Sequence, residues 1–366
     1  MVHQVCTVEI FTLYYKKVNL MILEGSKLTT AALLRHDATF GVGAKLTSAD
    51  IGAGLGDDGD EKMKDVTEMT HKTFDTFASD WSGCTNVAFE KVLAKFKASR
   101  PGDKEMLAVL AAVTEVIRAE GGKETETEYF AALMTTLEVT TDEQHLAAVL
   151  RLLSVVIKKV PHPVLQSKFS QINSSLMSKL SQVTEAGNVS VIRALLGCIS
   201  VLLRVQPGSV WSLPETQRSL SSLLSFTCHS KPKIRKSGQH SVVSVVRGSD
   251  PDLTPHPAAA PVAQFCVETV TSAGAQDNTV LYMLTMMKEI LPVLPKSSMK
   301  SSCEMILKLL TLGTPLLVTS CFSSLHSMFS GRPALSCLSV EMNAQLLTAL
   351  SDFRPQVLDT VLILSY

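Results

Sequence analysis

Residues 231–236, Lys-Pro-Lys-Ile-Arg-Lys, form the segment of this sequence that is best equipped to bind an anion. Pro232 favours the first turn of a helix, because it lacks a backbone N–H that this turn would leave unpaired. The cationic side chains would then surround a helix N-terminus, where free N–H groups and the helix dipole favour a phosphate. We therefore predict an RNA- or phosphate-binding site formed by Lys231, Lys233, Arg235 and Lys236.

A structural role is the alternative for the same segment, because the helix dipole disfavours each cation in a first turn by about 0.3–1 kcal/mol. In that interpretation Arg235 pairs with a carboxylate from an adjacent helical repeat, and the lysines are simply solvated. Other basic residues are expected in the last turns of helices, where positive charge complements the dipole. These residues are Lys158, Lys159, Arg204 and Arg247.

The sequence gives little support for catalysis or metal binding. Cys228 and His229 are adjacent, but no third residue is placed to orient the histidine, so a nucleophilic thiol is not expected. Glu124, Glu126 and Glu128 favour the first turn of a helix rather than a paired acid and base, since alternate residues face different sides. No histidine or cysteine spacing is typical of a metal site. We predict a protein that is not an enzyme and needs no cofactor or metal.

Composition indicates a helical protein with a substantial core. Of the 366 residues, 46% are hydrophobic but only 5% are aromatic, which favours helices of Leu, Val, Ala and Met over an aromatic-rich sandwich. The cysteines show no paired spacing, so reduced intracellular thiols are expected. Four of them lie in apolar periodic segments and are predicted as core residues: Cys198, Cys266, Cys303 and Cys321.

Charge is distributed unevenly along the chain, although the net charge is zero. Residues 151–250 hold 13 Lys and Arg against 3 Asp and Glu, whereas residues 1–150 hold 15 against 23. Clustered positive charge raises the local concentration of polyanions. The basic central third is therefore the predicted region of contact with a polyanion such as RNA.

Five prolines recur at regular intervals of 46, 44, 44 and 38 residues, at Pro161, Pro207, Pro251, Pro295 and Pro333. Apolar spacing predicts the end of a helix before each proline, at 152–160, 199–205, 242–247, 284–294 and 321–329. Second helices fit between them, at 163–182, 214–226, 258–272 and 296–312. Two helices in each unit of about 40–47 residues are typical of HEAT or armadillo repeats. We predict an all-α, HEAT/armadillo-like helical-repeat solenoid in which Gly197 and Gly238 allow neighbouring helices to approach closely.

Three regions are predicted along the chain. Residues 1–62 are glycine-rich and contain an acidic cluster without apolar periodicity, so a flexible or poorly ordered segment is expected. Residues 63–353 form the predicted HEAT-like solenoid, and residues 354–366 form the C-terminal end of a truncated array. Charged residues interrupt the first apolar stretch, so a signal peptide is not expected. The uncharged run 309–331 is predicted as a helical hairpin rather than a membrane span.

Four blocks of sequence carry a resemblance to a known family. They are CTNVAFEKV at 84–92, LAVLAAVTEVIRAEGGKETETEYFAALMTT at 107–136, LLSFTCHSKPKIRKSGQHSV at 223–242 and EMNAQLLTAL at 341–350. In this order, over about residues 80–351, they resemble the N-terminal region of the ribosomal RNA-processing protein 12-like family. The resemblance implies a nuclear and nucleolar HEAT-repeat factor for pre-ribosome maturation and subunit export.

The expected function combines this resemblance with the basic region. It is a non-enzymatic scaffold in ribosome biogenesis, for pre-rRNA processing and small-subunit maturation and export. The resemblance implies the pre-ribosomal particle, rRNA and other ribosome biogenesis or nuclear transport proteins as partners, without a small-molecule substrate or membrane insertion. The alternative is a karyopherin-like nuclear transport adaptor that binds proteins on a concave helical surface.

Overall fold

The computed structural model of the protein describes residues 83–95, 102–183, 188–248, 254–273, 278–312, 314–331 and 338–352. Every regular element in these ranges is helical, and none of them contains a β-strand. The predicted all-α class is therefore confirmed. The segments 1–62 and 354–366, for which separate regions were predicted, lie outside the described residues.

The helices are numbered in chain order. They are α1 (Glu90–Leu93), α2 (Asp103–Ala119), α3 (Glu126–Val139), α4 (Glu143–Val156), α5 (His162–Ser167), α6 (Phe169–Val183), α7 (Val189–Arg204), α8 (Pro214–Ser225), α9 (Pro232–Arg247), α10 (Ala259–Ser272), α11 (Asn278–Ile290), α12 (Lys296–Leu310), α13 (Pro315–Ser330) and α14 (Val340–Asp352). Short 3₁₀ turns occupy Val87–Phe89, Gly208–Ser212, Phe226–Cys228 and Leu291–Val293.

Local sequence signals set many of the helix ends. A proline occupies the first position of α8, α9 and α13, where its missing N–H leaves no bond unmade. Thr125 caps α3 in a capping box with Glu128, and Asp142 caps α4 through the N–H of His145. Gly248 ends α9 with a φ of 62°, a conformation that glycine adopts without strain. Local sequence thus fixes where these helices begin and end.

The chain divides into two compact units, Met1–Val164 and Leu165–Tyr366. In the first unit, α2 packs against α3 and α4. Its core includes Met106, Leu110 and Tyr129, all fully buried. The buried carboxylate of Asp103, the first residue of α2, accepts a hydrogen bond from Arg151 Nη1 of α4 at 2.5 Å.

The second unit contains two layers of helices. In one layer α7, α9, α11 and α13 pack against one another in chain order. In the other, α6 packs on α8, α10 on α12, and α12 on α14. Hairpins connect the layers, because α6 packs on α7, α8 on α9, α10 on α11 and α12 on α13. This is the two-helix repeat predicted from the prolines, except that the expected helix 163–182 is divided into α5 and α6.

Hydrogen bonds between consecutive repeats join residues about one repeat length apart. Ser219 Oγ donates to Asn173 Oδ1 at 2.7 Å, across 46 residues of sequence. Ser200 Oγ donates to the Ser241 carbonyl at 2.9 Å, across 41 residues. Both hydroxyl groups are buried, so each bond satisfies a polar group that would otherwise cost about 1–3 kcal/mol. The period of the sequence is thus also the spacing of the contacts.

The two glycines predicted to permit close packing differ in the structure. A Cβ built on Gly238 of α9 would lie 2.9 Å from the backbone carbon of Phe226, in the turn that precedes the helix. Gly238 therefore allows α9 to approach this turn, as predicted. A Cβ built on Gly197 of α7 meets no atom of the described residues within 4 Å beyond the backbone of its own helix, so the prediction for Gly197 is wrong.

The uncharged run 309–331 contains the end of α12, a turn and α13, which confirms the predicted hairpin. Of the helices in the described ranges, none combines the length and the apolarity that a membrane crossing requires.

Candidate functional site

The predicted anion-binding segment lies at the start of α9. Lys231 is the N-cap residue, and Pro232 and Lys233 occupy the first turn. Ile234 is fully buried, so one face of this first turn packs against the core. The side chains of Lys231, Lys233 and Lys236 are exposed. The structure therefore brings these three ammonium groups to one end of one helix, as the sequence predicted.

Arg235 has a separate, structural environment. Its guanidinium carbon lies 3.6 Å from the centre of the Tyr282 ring, on α11 of the next repeat. Its Nη1 donates to the carbonyls of His229 at 2.9 Å and Ser230 at 3.3 Å. A cation above an aromatic ring contributes about 0.5–2 kcal/mol, depending on solvent exposure. The alternative that Arg235 is structural fits these contacts, but the predicted carboxylate partner is wrong: the partners are a ring and two carbonyl groups.

Gln239 reinforces the same connection one turn further along α9. Its Nε2 donates to the Tyr282 carbonyl at 3.0 Å and to the Thr227 carbonyl at 3.2 Å. One tyrosine thus receives a cation on its ring and a hydrogen bond on its backbone, both from α9. These contacts fix the start of α9, which carries the three lysines, against α11.

The backbone N–H groups at the start of α9 are less available than the sequence suggested. The N–H of Lys231 donates to His229 Nδ1 at 3.0 Å, and that of Ile234 donates to the Lys231 carbonyl at 3.1 Å. Pro232 has no N–H. Lys233 contributes the one N–H of this turn that has no partner among the described residues. An anion at this helix start would therefore contact side-chain ammonium groups rather than a ring of backbone N–H donors.

The other basic residues occupy the predicted helix ends in part. Arg204 and Arg247 lie in the last turns of α7 and α9, as expected. Lys158 and Lys159 follow α4, which ends at Val156, so for these two the last-turn prediction is wrong by a few residues. All four still lie near the negative end of a helix dipole.

A second charged cluster surrounds Glu124, in the first unit. Its carboxylate accepts hydrogen bonds from Arg118 Nε at 2.6 Å, from the Thr85 N–H at 3.2 Å and from the Tyr129 hydroxyl at 3.2 Å. Arg118 Nη2 also donates to the Gly83 carbonyl. These bonds tie the segment before α1 to the ends of α2 and α3. They make Glu124 a structural residue.

Glu124 has a lowered pKa and an unusual backbone conformation. Burial raises the pKa of Glu124, but hydrogen bonds from Arg118 and Thr85 outweigh burial and hold the pKa below its usual value of 4.5. The φ of 56° is left-handed, a conformation that costs a non-glycine residue about 1–2 kcal/mol. The predicted place in the first turn of a helix is confirmed for Glu126 and Glu128. For Glu124 the prediction is wrong, because Glu124 precedes the N-cap residue Thr125.

The cysteines do not form a reactive centre in the described part of the chain. Cys198, Cys266, Cys303 and Cys321 are buried, as predicted for core residues. Burial raises the pKa of the Cys303 and Cys321 thiols to about 12, so neither is a thiolate near neutral pH. Cys228 is half-buried at the end of a 3₁₀ turn. Within the described ranges, no three His, Cys, Asp or Glu side chains are grouped as a metal site would require.

Sequence reasoning missed Tyr282 and Glu289, the two α11 residues that contact basic side chains of α9. Arg247 Nη2 lies 2.7 Å from Glu289 Oε2. The signal that could have found them is the repeat length itself, since Tyr282 lies 47 residues after Arg235 and Glu289 lies 42 residues after Arg247. Residues one proline interval apart are candidates for contact in such a fold.

Comparison with protein families connects this architecture to a known group. Residues 85–334 match the family model described as RRP12-like, N-terminal HEAT repeats. The match covers the segment before α1, both charged clusters and the helices as far as α13. It confirms that the predicted helical repeats are of the HEAT type.

Curated proteins with similar sequences agree with this match. The chain is 42% identical over 349 residues to the RRP12-like protein of Homo sapiens, covering 93% of this chain and 26% of that protein. It is 44% identical over 304 residues to the RRP12-like protein of Gallus gallus, covering 81% and 24%. Ribosomal RNA-processing protein 12 of Saccharomyces cerevisiae is 23% identical over 318 residues, covering 75% and 26%. The chain thus spans about a quarter of the length of these relatives.

Proposed function

The chain belongs to the RRP12-like family with N-terminal HEAT repeats, and from this premise we propose that it is a non-enzymatic scaffold in ribosome biogenesis. The proposed role is in pre-rRNA processing and in maturation and export of the small subunit. The name of the yeast relative supports the first part, because it refers to ribosomal RNA processing. The predicted family relationship is confirmed by these similarities.

We propose that contact with rRNA or ribonucleoprotein runs through the start of α9. The observation that carries this proposal is that Lys231, Lys233 and Lys236 are exposed together, while the neighbouring Arg235 is used to hold α9 against α11. Lys233 and Lys236 have no hydrogen-bonding or ionic partner among the described residues. Exposed ammonium groups of this kind bind phosphates without reading base sequence.

The proposed partners follow from the same chemistry and family. They are the pre-ribosomal particle and its rRNA, together with other ribosome biogenesis proteins, and the proposed location is the nucleus and nucleolus. The family names support this location because pre-ribosomes are assembled there. The alternative of a karyopherin-like transport adaptor has no support from these names, and the described residues offer no observation that favours it.

The experiment compares RNA binding by the wild-type chain and by a variant in which Lys231, Lys233 and Lys236 are each changed to Gln. Binding of unrelated single-stranded RNAs is measured over a range of salt concentrations. We expect weaker binding to all sequences, and a plot of log affinity against log salt that is flatter by about 0.7 for each lost phosphate contact, or about 2 in total.

The control variant changes three exposed lysines of α12, Lys296, Lys300 and Lys308, to Gln, so it removes the same net charge elsewhere. Its RNA affinity should fall much less than that of the α9 variant. Equal losses in both variants would show that RNA responds only to total charge. An unchanged affinity and salt slope in the folded α9 variant would refute the RNA contact at this site.

A further inference from the structure

A groove runs along α9 from Lys236, the last of the three lysines, towards the C-terminal end of the helix. Its volume is about 550 Å³, and it lies between α9, α11 and the last turn of α7. Lys236, His240, Ser244 and Arg247 of α9 line it at intervals of three and four residues, so they form one stripe along the helix. At 1.5 Å per residue the stripe is about 16 Å long.

Positive charge occupies both ends of this groove. Lys236 stands at the end nearest Lys233, and Arg204 and Arg247 stand at the other end. Arg204 is held in place because its Nε donates to the Gly248 carbonyl at 2.8 Å. Between the ends, His240 and Ser244 have no hydrogen-bonding partner among the described residues, so polar donors are present along the whole stripe.

One carboxylate partly neutralises this groove. Glu289 of α11 lies 2.7 Å from Arg247, and both side chains are about half exposed. Glu289 places a negative oxygen where a bound phosphate oxygen would lie, on the same guanidinium. An anion that enters the groove therefore competes with Glu289 for Arg247.

We propose that this groove is the continuation of the RNA-binding surface, with the phosphate backbone of a single strand running from Lys236 to the Arg204 and Arg247 end and displacing Glu289. The inference rests on the proposed function, because it extends the contact of the lysines at the start of α9. Glu289 then sets the affinity of the groove by occupying Arg247 in the absence of RNA.

The exposed chemistry of the groove favours RNA over an acidic protein segment. Protein interfaces are centred on large apolar or aromatic anchors. The two apolar lining side chains, Val243 and Met286, are only 7% and 1% exposed, so the exposed carbon surface of the groove belongs mainly to its long polar side chains. None of the described lining residues is Phe, Tyr or Trp. Ammonium, guanidinium and hydroxyl groups remain accessible, and these suit phosphate and ribose oxygens.

The test measures anisotropy of a labelled oligouridylate of about 12 nucleotides bound to the full chain. Glu289→Gln removes the competing charge and should tighten binding by about threefold relative to Glu268→Gln. Glu268 is the matched control because it is an exposed carboxylate on α10, outside the groove, and its replacement changes the net charge equally. Arg247→Gln should weaken binding, and in that background Glu289→Gln should lose most of its effect.

The outcomes separate this inference from the proposed function. Equal effects of Glu289→Gln and Glu268→Gln, with weaker binding by the α9 lysine variant, would overturn the groove and leave the lysine site standing. No response to either the lysine or the Glu289 changes would overturn both. An oligoglutamate of similar length that binds as tightly and responds equally to Glu289→Gln would assign the groove to an acidic protein segment instead. Circular dichroism on each variant establishes that it is folded.

Discussion

Two charged clusters stand at helix starts in this protein, and they differ in how far their side chains are exposed. In the first unit, the Glu124 carboxylate accepts hydrogen bonds from three residues and is only 12% exposed. In the second, Lys231, Lys233 and Lys236 project from the start of α9 into solvent. The two charged clusters therefore have opposite relations to stability. The one with fixed partners holds the chain together, and the exposed one is available to a ligand.

The difference depends on contacts that are distant in sequence. Thr85 lies 39 residues before Glu124, and its backbone N–H and hydroxyl both donate to that carboxylate. The three lysines share their turn with Arg235, yet Arg235 is the member whose charge meets a ring from the next repeat. Local sequence shows where charge is concentrated, and the packing of distant segments decides which charges are satisfied.

The largest expected effect is the loss of stability in Glu124→Gln. The change removes a charged acceptor from Arg118, Thr85 and Tyr129, so we expect the free energy of unfolding to fall by about 2 kcal/mol. Denaturant unfolding measures this loss. Glu126→Gln is the control, because Glu126 lies in the first turn of α3 and has no hydrogen bond or ion pair with the described residues, so only its interaction with the helix dipole, about 0.3–1 kcal/mol, is lost.

Acid should reduce this difference between the wild-type chain and Glu124→Gln. The pKa of Glu124 is lower in the folded chain than its usual value of 4.5, so its ionised form contributes stability above that pH. The contribution is lost as the pH falls through the folded pKa, where the carboxylate becomes protonated. A gap in stability that stayed constant from pH 7 to well below 4.5 would show that the Glu124 charge is not what stabilises this region.

Much of the repeat architecture could be predicted from the sequence, because prolines and apolar spacing act locally. Pro214 and Pro232 each begin a helix at the position that the missing N–H favours, and the predicted helix 214–226 corresponds to α8. The break between α5 and α6 had no such signal, since the sequence 163–182 has no internal proline or glycine. For the candidate site, the sequence indicated the position of the three lysines at a helix start. The partners of Arg235 and Arg247 lie on α11 and depend on packing, so the sequence did not indicate them.

Gly238→Ala tests how firmly the lysine-bearing helix is placed, with an expected loss of about 1–2 kcal/mol. The added methyl group would lie 2.9 Å from the backbone of Phe226, which cannot move as a flexible side chain does, so α9 must shift. Thermal unfolding is the measurement. Gly197→Ala is the matched control in α7, where the space is open and alanine is the better helix former, so a gain of about 0.5–1 kcal/mol is expected. Destabilisation of equal size at both positions would contradict the close contact at Gly238.

The smallest expected effect concerns Arg235, which lies among the exposed lysines but has structural partners like those of Glu124. Arg235→Lys keeps the charge but loses the planar group that lies on Tyr282 and donates to the His229 and Ser230 carbonyls. We expect the free energy of unfolding to fall by about 1 kcal/mol, with RNA affinity and its salt dependence unchanged. Lys233→Gln should show the reverse: weaker RNA binding, and stability within about 0.5 kcal/mol of wild type. If Arg235→Lys instead weakened RNA binding without loss of stability, Arg235 would be a phosphate ligand like the neighbouring lysines. The distinction between a structural Arg235 and ligand-binding lysines would then be wrong.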